Sequence, residues 1–361
     1  MNRLLLPAVV AVAGGVLLAT ALFVPYVAVQ FRRRGTVGLV PSVLALAVLV
    51  HALAIVAYTL LPLPASTAQL CADGGERPQL VPGRFLADAA GLGLRTPADV
   101  VANAALQQFA FNVALFVPLG AFVRHLTRRG VPGAVLTGLG VSVLVELTQL
   151  TGVWSLYPCA YRLFDVDDLA ANTAGALLGA LAAPLLRRLP GQETGPARVA
   201  RPVTAWRRLL GMAGDVVLLT GAGAAAAFTW RALVVGAGLD VPPAADRAVV
   251  LLLASLLPAA LLLAQVLAGG RTPGEAAVRL RPRGPRAPWR AVLRWMGGAG
   301  GFHLLNTSGP AVASSLAAAL AVAAAVAVWT TRGHRGLPHA LAGWDVEDDR
   351  VPADGGAAPR R

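Results

Sequence analysis

The sequence predicts an all-α fold: a polytopic helical membrane protein with about eight or nine transmembrane helices in two bundles. Three observations carry this. Of 361 residues, 56% are hydrophobic and only 14% charged, whereas a soluble chain carries about 25% charged residues. The apolar residues come in runs of about 20, the length that crosses the hydrocarbon of a bilayer. Between these runs the arginines gather into clusters on alternate connections, as cytoplasmic loops do.

Composition closes off other classes. The net charge is +13, and all 31 basic residues are arginine. They sit in short clusters between apolar runs and read as topology signals, so no nucleic-acid partner is expected. Residues 4–29 are too long for the apolar core of a signal peptide, and their charge, Arg32-Arg33-Arg34, follows them. They read as a first span with the N-terminus outside.

From that start the elements follow in order. Residues 4–29 go in and 37–61 come out. The polar stretch 62–103, whose charges nearly cancel, lies outside. Residues 105–123 go in to Arg124, Arg128 and Arg129, and 131–153 come out to a short loop, 154–162. Residues 165–186 go in to Arg187-Arg188. Every arginine cluster then falls on one side. Residues 189–207, rich in Pro, Gly and Arg, read as a cytoplasmic linker. Beyond it 209–235 come out, 249–268 return, and a basic cytoplasmic segment runs from Arg271 to Arg290. Residues 291–305 are short for a span and contain Arg294, while 311–329 are long enough. If both cross, the total is nine and the C-terminus is inside, which Arg332 and Arg335 favour. If 291–305 stay at the surface, it is eight. Residues 345–361 read as a disordered tail.

The two cysteines, Cys71 and Cys159, both fall outside under this topology. That space is oxidising, and a disulfide holding the long loop over the fourth and fifth helices is expected; two free thiols are the alternative.

Three polar segments stand out against the apolar background. They are Asn112 through Phe116, Pro118 and Gly120 in the third span, Glu146-Leu-Thr-Gln149 in the fourth, and Arg162 through Asp165, Asp168 and Asn172 opening the fifth. Asp165, Asp168 and Asn172 share a helical face. All lie at a similar level near the outer headgroup boundary. Ionisable groups at membrane depth normally pair inside a bundle or a wet cavity, and Arg162 with Asp165 or Glu146 would be such a pair. Three readings stay open. The first is polar glue, with Gly175 and Gly179 permitting close helix approach. The second is a headgroup or anion site built on Arg162 and the free amides of the fifth helix. The third is a divalent-metal site from Glu146, Asp165 and Asp168 with hydrolytic chemistry, which no histidine supports, since His51 and His125 lie elsewhere.

The order Asn112…Phe116-x-Pro118-x-Gly120, Glu146-x-x-Gln149, Arg162…Asp165-x-x-Asp168-x-x-x-Asn172-x-x-Gly175 resembles the VanZ-like family. The resemblance covers roughly residues 40–188 and implies a five-helix membrane domain over 1–188. Founding members are associated with low-level resistance to the glycopeptide teicoplanin. The resemblance implies no established reaction.

Downstream, Arg208 and Asp215 lie seven residues apart on one helical face. A buried Asp215 needs a partner, and Arg294 is the candidate. Thr272-Pro273-Gly274-Glu275 opens a short amphipathic segment whose basic residues suit an anionic inner leaflet, with a solvated loop as the alternative. Arg208…Asp215, Thr272-Pro273-Gly274 and Arg335-Gly-Leu-Pro-His339-Ala340-Leu-Ala-Gly343 resemble the RDD family, implying a membrane domain over 208–344. Glu275 stands where a lysine is usual, and Ala340 where an aspartate is.

The expectation is a multi-pass protein of the bacterial plasma membrane, with its N-terminus outside and its linker and C-terminus cytoplasmic. Without catalysis or a cofactor, it would bind a membrane lipid, a lipid-linked envelope component or an antibiotic at the outer leaflet. Asn112, Glu146, Gln149, Arg162, Asp165, Asp168 and Asn172 would line the site. A metal-assisted hydrolase of an envelope lipid and a transporter built on the RDD-like unit are the alternatives.

Overall fold

The computed structural model describes residues 5–61, 71, 77–127, 129–160, 162–191, 199–285 and 287–351. Among them, eight helices are long and apolar enough to cross a membrane, and the protein is a multi-pass helical membrane protein. The chain divides into two compact units. Unit 1 comprises residues 1–17 and 38–192, and unit 2 comprises 18–37 and 193–361.

Helix α1, Leu5–Arg34, contributes to both units. It runs on beyond the expected residue 29 through Arg32, Arg33 and Arg34, because arginine is a good helix former and a cation in the last turn complements the helix dipole. Unit 1 continues with α2, Leu39–Leu60, and then with two short helices from the stretch expected to be irregular: α3, Arg84–Gly91, and α4, Pro97–Ala102. Helix α4 starts at a capping box in which Thr96 accepts from the Asp99 amide and the Asp99 side chain accepts from the Thr96 amide. The long helices α5, Ala104–Thr127, α6, Val131–Leu150, and α7, Val166–Arg187, complete the unit. Helix α6 ends three residues before the expected 153, at a left-handed turn with positive φ from Gly152 to Ser155.

Helices α5 and α7 pack closest, through glycine. A Cβ on Gly175 would collide with the Val113 carbonyl, and one on Gly179 with the Val117 carbonyl. Pro184 lacks the N–H that would satisfy the Ala180 carbonyl four residues earlier. Arg124 fills that vacancy, its Nη1 donating to Ala180 O at 2.6 Å.

After residue 192 unit 2 runs through an extended segment into α8, Ala205–Gly236, whose cap is Thr204: its hydroxyl accepts from the Arg207 amide at 3.3 Å. The expected linker is therefore shorter, and its residues 192–198 lie outside the described ones. Helix α9, Pro243–Leu267, carries a π-turn at Leu252–Leu256. Then follow α10, Pro273–Ala277; strand β1, Leu280–Arg283; α11, Pro288–Met296; α12, Ala299–Thr307; α13, Ala311–Thr330; α14, Gly336–Ala342; and β2, Asp345–Asp348. The two strands pair antiparallel, Leu280 opposite Asp348 and Arg283 opposite Asp345.

That pairing corrects two expectations. Residues 345–351 are ordered rather than tail, whereas 352–361 lie outside the described residues. The basic segment is not left facing a lipid surface either. Arg271 and Arg279 pair with Asp349 at 2.6 and 2.9 Å, Arg281 with Glu347 at 2.8 Å, and buried Arg207 with Asp348 at 2.8 Å. The acidic run 345–349 is the counter-charge of the basic run 271–283.

The sheet also constrains topology. It holds residues 280–283 and 345–348 on one side of a membrane, yet between them lies one 20-residue apolar helix, α13. If α13 crosses, the return to the same side needs a second crossing, for which α11 and α12, broken at Gly297-Gly298, are the helices between β1 and α13. Each is nine residues, or about 13 Å of helix, so neither can cross alone. This explains why residues 291–305 looked too short and too charged for a span. Because Cys71 and Cys159 are bonded to each other, a single introduced thiol can be labelled selectively. Cysteines placed at Arg283 and Ser308 should react with a membrane-impermeant reagent from opposite sides. Reaction of both from the same side would exclude the broken crossing.

Candidate functional site

The polar residues of unit 1 gather where α5, α6 and α7 meet the connecting segments around Gln79 and Asp165. Asp165 caps α7, its carboxylate accepting from the Asp167 amide at 2.8 Å. Buried Glu146 accepts from the Asp165 amide at 3.0 Å. Gln79 forms a one-residue bridge with Asp165: its amide donates to the Phe164 carbonyl at 2.7 Å, and its carbonyl accepts from the Val166 amide at 3.1 Å. One turn into α7, Asp168 accepts from Asn112 Nδ2 at 2.6 Å and from the Gln108 side chain. Asn172 donates to Ser142 Oγ at 2.9 Å, while its own carbonyl oxygen, fully buried, has no hydrogen-bond partner among the described residues.

The remaining two expected site residues do something else. Gln149 donates to the Thr59 carbonyl at 2.6 Å and Arg162 to the Leu61 carbonyl at 2.8 Å, so both clamp the C-terminal end of α2. A guanidinium is favoured there because the last helical carbonyls lack intrahelical donors and carry the negative end of the dipole. Arg162 is thus not ion-paired with Asp165 or Glu146 within 4.0 Å, contrary to expectation. At the α7 N-terminus the amides of Asp165, Val166 and Asp167 already donate within the protein, which leaves fewer of them for a phosphate.

What is left is a centre of acceptors. Glu146 lies within electrostatic reach of Asp168, Asp165 and the Arg162 guanidinium, and the oxygen of Asn172 adds a neutral acceptor. Among the described residues no group of three or more His, Cys, Asp or Glu could hold a metal ion. The arrangement suits a ligand that donates hydrogen bonds, such as a hydroxyl, an amide N–H or an ammonium. A disulfide joins Cys71 to Cys159, which are 88 positions apart in sequence. Asp167 ties the loop down at a second point, its two oxygens accepting from the amides of Gly83 and Phe85 at 2.6 and 3.0 Å and so capping α3.

Sequence reasoning missed Gln79, Gln108, Ser142 and Asp167. Gln108 lies four residues before Asn112, and Ser142 four before Glu146, so helical spacing could have found both. Gln79 lies in an irregular segment and carries no local signal.

Unit 2 holds a second polar centre, around Glu275. Arg208 Nη1 lies 3.3 Å from Glu275 Oε1, and Arg294 Nη2 reaches Glu275 Oε2. His339 completes the centre, its Nδ1 accepting from Arg208 Nη2 at 3.0 Å and its Nε2 lying 3.2 Å from Glu275 Oε1. Asp215 is not paired with Arg294 or Arg208, as the sequence suggested. It accepts from Thr272 Oγ1 and the Gly274 amide, both at 2.6 Å. The segment Thr272–Glu275 is therefore a buried connector, not a solvated loop. Burial works to raise the Glu275 carboxyl, but Arg294, His339 and Arg208 outweigh it and hold it well below its ordinary range. Burial first, then Arg208, push His339 down to about 4.

A family model described as VanZ/LLP1 matches residues 48–187, so the chain carries a VanZ-like domain running from within α2 to the end of α7. No curated protein and no solved structure matches the chain. No family match supports the RDD resemblance of residues 208–344.

Two measurements bear on these centres. Gly179→Val forces a side chain into the Val117 carbonyl and should destabilise purified protein by about 1–3 kcal/mol, read as a lower melting temperature in detergent; an unchanged melting temperature would contradict the α5–α7 packing. His339 has a folded pKa below its ordinary 6.5, so between about pH 6.5 and 4 the unfolded chain takes up a proton that the folded chain refuses. Stability present above pH 6.5 is therefore lost as pH falls through that window. The melting temperature should drop between pH 7 and 5 by at least about 3 °C, and His339→Gln should flatten the slope. An equally steep slope in that variant would assign the loss elsewhere.

Proposed function

We propose that the VanZ-like unit binds a lipid or lipid-linked envelope component at the outer leaflet, gripping a donor-bearing headgroup between α5, α6 and α7. The observation that carries this reading is the acceptor-rich centre of Glu146, Asp168 and Asn172, placed at the helix ends. It lies where headgroups lie, and the nearest arginine is engaged with the Leu61 carbonyl. Carboxylates at such a boundary are costly unless a ligand or neighbour supplies donors. The loop above supports it too. Leu86 and Leu92 of the α3 region are 58% and 64% exposed, and Val101 of α4 is 74% exposed, an apolar surface suited to the interfacial zone of a bilayer.

The outer placement rests on the arginine clusters at the opposite helix ends and on a disulfide suited to an oxidising compartment. Involvement in teicoplanin tolerance belongs to the same proposal, since a protein that holds a cell-wall lipid precursor would alter what that drug meets. For unit 2 the geometry favours structural use of the RDD-like residues, because Arg208 and Asp215 are both engaged within a buried network.

The test uses purified full-length protein and a fluorescent polyprenyl-linked saccharide, with phosphatidylglycerol as competitor. Asp168→Asn and Glu146→Gln should each weaken saccharide-lipid binding by about tenfold or more, the cost of losing a charged acceptor, while His339→Gln leaves it unchanged. Equal binding by all three variants would remove the proposed site. Turnover of the lipid that disappears with a chelator and in Asp168→Asn would replace binding with hydrolysis.

A further inference from the structure

Unit 2 encloses a cavity of about 440 Å³ beside the Glu275 centre. One wall is polar, formed by Arg208, Asp215, Thr272, Glu275, Arg294 and His339, and the rest is apolar, including Met212, Leu262, Phe302, Leu320 and Ala324. Its volume lies in the range of sites that take small organic ligands.

Two independent features say what fits it. Arg208 is 1% exposed, and its Nε–H, buried, has no hydrogen-bond partner among the described residues. Three of the four Nη donors of that guanidinium go to Glu275, Arg335 O and His339. Arg208 is a lining residue of the cavity, and an orphaned buried donor calls for an acceptor. The charges around it are balanced, two arginines against two carboxylates, so the acceptor need not be an anion. The second feature is the rim. Ala321 lines the cavity and is at the same time exposed on α13, a candidate membrane span. The cavity therefore opens onto the surface that meets lipid, and an apolar void left empty there forfeits dispersion contacts along its whole lining.

We propose that this cavity binds a single acyl chain from the bilayer side, with the acyl carbonyl accepting from Arg208 Nε–H. The chain lies against the apolar wall formed by Met212, Phe302 and Leu320. The same chemistry is offered by an ester-linked chain of a membrane phospholipid and by a free long-chain acid. No covalent step is involved. This site is built from residues of unit 2 and shares none with the headgroup site proposed for unit 1.

The experiment uses full-length protein in mixed micelles with two photoactivatable probes. One is palmitic acid bearing a diazirine near its carboxyl, and the other is phosphatidylglycerol bearing the same acyl chain. Cross-links should map to peptides of α8 and α13 around Met212 and Ala321, and unlabelled probe should compete them away. Ala321→Trp plugs the rim and should cut cross-linking at those peptides at least tenfold. Val322→Trp, on the same helix but outside the cavity lining, should not, and it controls for folding and for bulk added to α13. Capture of the phospholipid probe identifies a bilayer lipid as the source, and capture of the acid alone identifies a free acid. Cross-links spread evenly over all spans, or undiminished in Ala321→Trp, would overturn the proposal, as would a cavity that captures neither probe and holds only water. Should Ala321→Trp fail to fold, Ala325→Phe plugs a second lining position and is read in the same way.

Discussion

A backbone carbonyl or a charge inside a bilayer has no water to turn to, and the arrangement of this protein follows from that shortage. The clearest instance is the smallest. Pro184 interrupts α7 and orphans the carbonyl of Ala180, and the chain answers with Arg124 from α5 at 2.6 Å. Asp215 in α8 raises the same demand and is met by the Thr272 hydroxyl and the Gly274 amide. That need brings the connector after α9 back into the unit and buries it. The end of α2 is closed by Gln149 and Arg162 for the same reason. Several residues that look like site chemistry are thus answering backbone demands first.

Close packing then converts these local answers into a site. With no hydrophobic force between helices in lipid, α5 and α7 are held by contact, and Gly175 and Gly179 let the carbonyls of Val113 and Val117 approach without collision. The same register runs from Arg124 on Ala180 at one end to Asn112 on Asp168 at the other, a single ladder along two parallel helices. A larger residue at either glycine would separate the helices and, with them, the donor Asn112 and the acceptor Asp168.

The fold was legible where hydropathy and charge act locally. Apolar runs of the right length gave the long helices, and the spacing of Asp165, Asp168 and Asn172 put them at the start of α7. Partners distant in sequence were not legible. Nothing near Asp215 announces Thr272, and the arginine expected for it, Arg294, goes to Glu275, whose carboxylate two other cationic or polar groups also face. The tail from Asp345 looked disordered because its composition is polar, yet its acidic run is the counter-charge of a basic run more than sixty residues earlier. The second crossing formed by α11 and α12 was obscured because it is broken at two glycines and because its charge, Arg294, is neutralised by a residue outside it.

The two polar centres differ in a way that decides their roles. Around Glu275, two arginines face two carboxylates, His339 is held neutral, and nearly every donor and acceptor is matched, as expected of a buried charge cluster that holds a fold together. In unit 1, Glu146, Asp165 and Asp168 meet amide donors and no cation within 4 Å. Replacing the Glu275 centre by neutral groups could leave the unit folded, since its charges answer one another. The acidic centre of unit 1 has no such internal closure. Its carboxylates take donors from the Asp165 amide, Asn112 and Gln108, and within this group the Asn172 oxygen is left without a donor among the described residues, the opening that the proposed ligand would fill.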